Sequence, residues 1–292
     1  MGQIEVIFTL LVPVMLFIMM MGMGLSLTLE DFRRILEYPR AAIIGLSGQL
    51  VFLPVLAFVL ALVIGAPAAV AAGGMLLAAC PGGVTSNGYV FVSRGDVGLS
   101  VTLTAITSVL TVLTIPAITW FTMNYYYGAG QFPELPVYDI VRRLLLITAL
   151  PISLGMLLRA FRGEIALRAV EGVRKVSLVL LLIIIVGVTI GTWDSVRENF
   201  VSAGVLAVSL NVISMAAGWG VARVFGLSPK QVITITYEIG VQNLSLAILV
   251  AITILKMPEL SILAVVYALV MKVTALSFLW YVRQSQYFSS GA

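Results

Sequence analysis

Between Arg40 and Arg94 the chain reads AAIIGLSGQLVFLPVLAFVLALVIGAPAAVAAGGMLLAACPGGVTSNGYVFVS, 53 residues (41–93) without a charged side chain. A bilayer core about 30 Å thick is crossed by about 20 apolar helical residues. The stretch therefore holds two crossings, divided at Gly65-Ala66-Pro67 into helices over 41–64 and 68–92. In the middle of the second stands Cys80-Pro81-Gly82-Gly83-Val84-Thr85-Ser86-Asn87. Pro81 removes a backbone donor, and the glycine pair carries the largest helix penalty after proline. An apolar span is thus broken at mid-depth.

Working outward, uncharged stretches predict seven more spans: 6–29, 97–123, 140–158, 176–192, 200–224, 231–255 and 259–282. A polar loop is expected over 124–138, where Pro133 and Pro136 block helix. The expected fold class is an all-α polytopic membrane protein of nine transmembrane helices in a single domain over 1–292. Composition agrees: of 292 residues 61% are apolar or aromatic and 10% charged, against about 25% charged in a soluble domain. Histidine is absent, which excludes HExxH zinc sites and Ser–His or Cys–His catalysis. Cys80 is the single cysteine, so there is no internal disulfide or Cys-rich metal site. No hydrolytic constellation can be drawn, and the chain is not expected to be an enzyme. The first apolar stretch lacks a basic n-region and is expected to be a retained helix.

The basic residues set orientation. With nine alternating spans, Arg33, Arg34, Arg40, Arg94, Arg159, Arg162, Arg168, Arg174, Lys175, Arg223, Lys230 and Arg283 fall on one side. Arg142, Arg143, Arg197 and Lys256 fall on the other. The positive-inside rule then puts the N-terminus outside and the C-terminus in the cytoplasm of an inner (plasma) membrane. The net charge of +4 is ordinary for such a protein. It gives no sign of nucleic-acid binding, and no protein partner is evident beyond the lipid bilayer.

A second break occurs at Tyr237-Glu238-Ile239-Gly240-Val241-Gln242-Asn243, mid-way along the span 231–255. Alone, either motif reads as a kink or as helix–helix glue. Together they lie in spans of opposite direction, each ends in an asparagine, and each is followed by one more helix. That is the pattern of an inverted-repeat transporter with two broken, crossing helices. Unwound backbone at that depth survives where it lines a cavity. Its carbonyls, with nearby hydroxyls and amides, are hard ligands suited to sodium. Glu238 is the only carboxylate deep in a span. It reads as a cation ligand or proton carrier, or else as the partner of Lys272 in an ion pair.

Four motifs carry a family resemblance: Met21-Gly22-Met23-Gly24-Leu25-Ser26-Leu27, Cys80 to Asn87, Arg94-Gly95-Asp96-Val97-Gly98-Leu99-Ser100, and Glu238 to Asn243. In this order and spacing they resemble the bile acid:sodium symporter family over nearly the whole chain. The resemblance implies a core domain (41–64, 68–92, 97–123, 200–224, 231–255, 259–282) moving against a panel domain (6–29, 140–158, 176–192). It implies two sodium ions. The first would bind Ser86, Asn87, Ser100, Thr104 and Glu238, with Ser100 and Thr104 at i, i+4 on one helix face. The second would bind Gln49, Glu238, Gln242 and the carbonyls of Ile239 and Val241. The implied function is sodium-coupled import of an organic anion by alternating access: a bile acid-like anion, or a small carboxylate such as pantoate or pyruvate. Thr85, Asn243 and Lys272 are the substrate candidates. Members often read Pro-Gly-Gly-Thr-Ala-Ser-Asn, whereas here Val84-Thr85 moves the hydroxyl by one residue. The alternatives are proton coupling through Glu238 and a channel-like protein without transport.

Overall fold

The computed structural model describes residues 3–128 and 137–285. Among these the chain is helical, and its only β-type pairing is one isolated bridge. In order, the main helices are α1 (Gln3–Ser26), α2 (Pro39–Ile64), α3 (Ala68–Ala79), α4 (Val84–Val92), α5 (Val97–Tyr127) and α6 (Tyr138–Phe161). There follow α7 (Gly163–Gly191), α8 (Trp193–Val224), α9 (Pro229–Gly240), α10 (Leu244–Ile254) and α11 (Pro258–Gln284). Five of them, α2, α5, α6, α8 and α11, are long and apolar enough to cross a membrane. Shorter apolar segments are Pro13–Ser26, Ala68–Ala79, Val179–Gly191 and Leu244–Ile254.

Several helices outrun their expected spans. α7 starts at Gly163 rather than 176 and α8 at Trp193 rather than 200. Hydropathy locates the membrane-embedded part of a helix, not its ends. Glu164, Ala166 and Arg168 are helix formers in water as well, and Arg168 reaches back to Glu164 at 3.9 Å. The loop expected over 124–138 is likewise shorter. α5 continues to Tyr127, while residues 129–136, with Pro133 and Pro136, lie outside the described residues.

Three helices contain a wide π turn: Gly48–Phe52 in α2, Leu145–Ala149 in α6 and Val250–Ile254 in α10. The first two run into a proline, Pro54 and Pro151. A proline cannot donate to the carbonyl four residues back, and its ring crowds that carbonyl, so the ladder slips to a wider turn ahead of it.

α1 packs along α6 and α7. A Cβ on Gly24 would lie 2.1 Å from the Ile152 carbonyl oxygen, and one on Gly155 2.4 Å from that of Met21. These two backbones touch because neither residue has a side chain, the small-residue packing typical within membranes. Elsewhere α3 packs on α2 and α5, and α8 on α9 and α11. From Val70 to Ala79 every residue of α3 is buried. Apolar side chains pack the interior and also cover much of the outside. Val63, Leu113, Val201, Val224 and Leu269 face outward, while Thr102, Thr104, Thr107, Ser108 and Thr111 of α5 are buried. Exposed apolar surface on this scale, together with the apolar helices, makes the chain a multi-pass membrane protein.

Candidate functional site at the crossing of two broken helices

The break after α3 follows from Pro81. The residue before a proline is pushed out of the helical region, and Cys80 is extended at φ −74, ψ 156. Gly83 then starts α4. The second break has no proline. α9 is begun by a capping box of Ser228 and Gln231 and stops at Gly240. Val241 is extended, and Asn243 caps α10 by accepting from the Leu246 N–H at 3.1 Å.

The two breaks meet. Gly82 bridges Gln242 in antiparallel fashion. The Gly83 N–H donates to the Val241 carbonyl at 2.8 Å, and the Asn243 N–H to that of Pro81 at 3.0 Å. Backbone groups freed at the breaks thus satisfy one another, as an apolar interior requires. A Cβ on Gly83 would fall 2.7 Å from the Gln242 carbonyl oxygen, so the crossing is that close only with glycine there.

Beside it sits the Glu238 carboxylate, on a residue 3% exposed. Among the described residues it is met by hydroxyls alone. Ser86 and Ser100 donate to Oε1, each at 2.5 Å, and Thr104 to Oε2 at 2.9 Å. The Ser100 oxygen also lies 2.6 Å from Asn87 Oδ1. Ser100 has one proton and two acceptors, so this cluster is rich in oxygen and short of hydrogen. The five residues expected around the first ion are therefore together. The ion-pair reading of Glu238 fails: Lys272 is exposed and makes no hydrogen bond or ion pair among the described residues.

The second expected set is only partly assembled. Gln49, carried on the π turn of α2, donates to Gln242 Oε1 at 2.7 Å and to the Cys80 carbonyl at 2.8 Å. Gln242 donates to the Ile239 carbonyl at 2.7 Å. The Val241 carbonyl is engaged by Gly83, and Glu238 turns to the hydroxyl cluster rather than to the two glutamines.

The crossing also has a buried support that hydropathy and spacing do not reveal. The Gly240 carbonyl, the last of α9, accepts from Asn211 Nδ2 at 2.9 Å and from the Tyr267 hydroxyl at 2.8 Å. Asn211 in turn accepts from Thr274 at 2.5 Å. The end of each broken helix is thus capped by an amide from the preceding span: Gln49 on Cys80, Asn211 on Gly240. The one sequence signal was an asparagine in the middle of an apolar span. Asn211→Ala should cost about 1–3 kcal/mol, since it leaves Thr274 without that acceptor and Gly240 with one donor fewer. Thermal unfolding in detergent would measure it, and a melting temperature equal to wild type would show the cap to be dispensable.

The two asparagines that end the motifs are not equivalent. Asn243 is a helix cap, whereas Asn87 lies inside α4 with its Oδ1 2.6 Å from the Ser100 hydroxyl. Of the substrate candidates, Thr85 and Lys272 are exposed and Asn243 is 6% exposed. No hydrogen bond joins any two of them, and neither the Thr85 hydroxyl nor Asn243 Nδ2 has a partner among the described residues.

The model of the sodium bile acid symporter family matches residues 13–199. The chain belongs to this family. The match includes the first broken helix and stops short of Glu238. Similarity to individual relatives covers more of the chain. A protein of Bacillus subtilis named an uncharacterized sodium-dependent transporter is 29% identical over 80% of this chain and 70% of its own length. A chloroplastic protein of Arabidopsis thaliana named a probable sodium/metabolite cotransporter is 31% identical over 80% and 57%. Sodium/bile acid cotransporter 4 of Mus musculus is 29% identical over 78% and 52%. The chain therefore spans little more than half the length of the plant and mouse relatives it matches.

Proposed function

We propose that this chain is a sodium-coupled symporter that imports a small organic anion by alternating access. The observation that carries the reading is the Glu238 carboxylate, buried where two broken helices cross and met by three hydroxyls and no cationic side chain. A buried carboxylate without a counter-charge is costly, and such groups in membrane spans mark ion pathways. If Ser86, Ser100 and Thr104 turn their protons away, they present lone pairs beside Glu238 and Asn87, an all-oxygen set for a hard cation. The family membership and the relatives' names support sodium as that cation. In this reading a second ion uses Gln49, Gln242, Glu238 and the carbonyls of Ile239 and Val241, after the Gln49–Gln242 pair opens.

The architecture proposed with it has nine spans, α3/α4 and α9/α10 each counting as one broken span, arranged as an inverted repeat. Helices α2–α5 and α8–α11 form a core that moves against a panel of α1, α6 and α7, in an inner membrane with the N-terminus outside. Thr85, Asn243 and Lys272 meet the substrate. Lys272 shares the exposed face of α11 with Leu269, Val273 and Leu276. An unpaired ammonium at that depth is tolerable against a wet cleft and expensive against lipid.

The test is thermal stability of the purified protein without substrate. Sodium alone should stabilise it, by about 1.4 kcal/mol at ten times Kd. An equal shift with potassium or choline at matched ionic strength would refute a sodium site. A shift produced by acidification in place of sodium would favour proton coupling through Glu238.

A further inference from the structure

A second polar site lies away from the crossing. A cavity of about 250 Å³ is bounded by Pro13 of α1, Arg143 and Ile147 of α6, and Ile252 to Ile254 with Lys256 at the far end of α10. Its walls are apolar apart from Thr253 and the two cations. Neither Arg143 nor Lys256 makes an ion pair or hydrogen bond among the described residues. Both side chains are exposed.

Two further facts bear on its use. Lys256 has φ 55, in the left-handed region where glycine would be less strained. The neighbouring bonds Leu255 N–H to Val250 and Met257 N–H to Ala251 hold the turn that imposes it. The cavity also joins helices that meet at a seam: α1 and α6 on one side, and on the other α10, whose first residue follows Asn243 at the crossing. Ten residues of helix rise about 15 Å, so the cavity and the crossing lie at opposite ends of one short helix. Helix direction puts Lys256 at the end opposite Lys230, whose carbonyl binds the Asp96 N–H. Arg143 and Lys256 belong to the sparsely basic side of the chain.

We propose that Arg143 and Lys256 form an anion port on the outward face, where a small carboxylate is captured before it reaches the crossing. The proposal rests on the reading of the chain as an organic-anion symporter with its N-terminus outside. Two like charges across an apolar cavity attract an anion and raise its local concentration, an effect that weakens with ionic strength. The volume sets the class. Pockets for drug-sized molecules run to about 300–1,000 Å³, and this smaller cavity has room for a carboxylate of a few carbons. One cation comes from α6 and the other from the turn that follows α10, so a bound anion bridges the two sides of the seam.

The test needs no knowledge of the natural substrate. Cys80 is the only cysteine and is fully buried, so Thr253→Cys introduces one reactive thiol into the cavity. In detergent at low ionic strength, an anionic methanethiosulfonate should label it at least about tenfold faster than a cationic one. That preference should vanish in Thr253→Cys carrying Arg143→Gln and Lys256→Gln. Pyruvate at millimolar concentration should slow the anionic reagent in the first protein and not in the second. In right-side-out vesicles the impermeant reagent should reach the thiol from outside. Equal rates for the two reagents, no protection by pyruvate, or labelling only from the inside would overturn the port. Sodium-induced stabilisation, measured on the same proteins, separates the outcomes. If it persists while the port fails, the symporter reading stands. If it is absent in wild type, the symporter reading itself fails.

Discussion

Glu238→Gln is expected to lower sodium-driven uptake by about a hundredfold or more, equivalent to ~2.7 kcal/mol, and to abolish the stabilisation of the protein by sodium. The substitution keeps the shape of the side chain and removes the one negative charge in the cluster. Ser86 and Ser100 can still donate to the amide oxygen, and the amide NH2 can donate to the Thr104 hydroxyl, so the fold should persist. In sodium-free buffer the variant should be at least as stable as wild type, because an uncompensated buried carboxylate costs more than an amide. This opposite response, more stable without sodium and indifferent to it, distinguishes an ion ligand from a purely structural acid. Thermal melts with and without sodium check one half, and uptake into proteoliposomes under a sodium gradient the other. A glutamine variant that sodium still stabilises would remove Glu238 from the ion site.

The second large effect is expected at Gly82. A Cβ there would lie 2.9 Å from Glu238 Oε2, 3.6 Å from the Glu238 carbonyl oxygen and 3.7 Å from Thr104 Oγ1. Gly82→Ala must therefore push the carboxylate off Thr104. Overpacking of this kind costs about 1–3 kcal/mol, or roughly five- to 150-fold in sodium affinity. Gly88, in the following half-helix, supplies the contrast. A Cβ on it meets nothing within 4 Å. Gly88→Ala should leave the sodium response intact and add about 0.5–1 kcal/mol of stability through helix propensity. Similar loss in both variants would mean that the glycines matter for helix flexibility rather than for room beside Glu238.

Much of this site could be read from the chain before its coordinates. Pro81 and the glycines after it located one break, and Gly240 with Asn243 the other. Glu238 is conspicuous as a lone deep carboxylate. These readings succeeded because backbone propensity and the cost of burying charge act locally or on single residues. Ser100, Thr104 and Gln49 are named only by the family resemblance, and the place of Gln49 beside Gln242 depends on the π turn ahead of Pro54.

What the amino-acid sequence determined by itself was the membrane class, the positions of the two breaks and Glu238 as a lone carboxylate deep in a span. Only tertiary structure decided where each freed group goes. It paired Gly83 with Val241 and Pro81 with Asn243, turned Asn243 into a helix cap while Asn87 faced Ser100, and brought Asn211 and Tyr267 onto the Gly240 carbonyl. It also left Lys272 exposed instead of pairing it with Glu238, and set Arg143 and Lys256 around one cavity. The reason is physical. Propensity says that a helix must stop and which polar groups that frees, but the partner that satisfies them in an apolar interior comes from whichever helix the packing brings within about 3 Å.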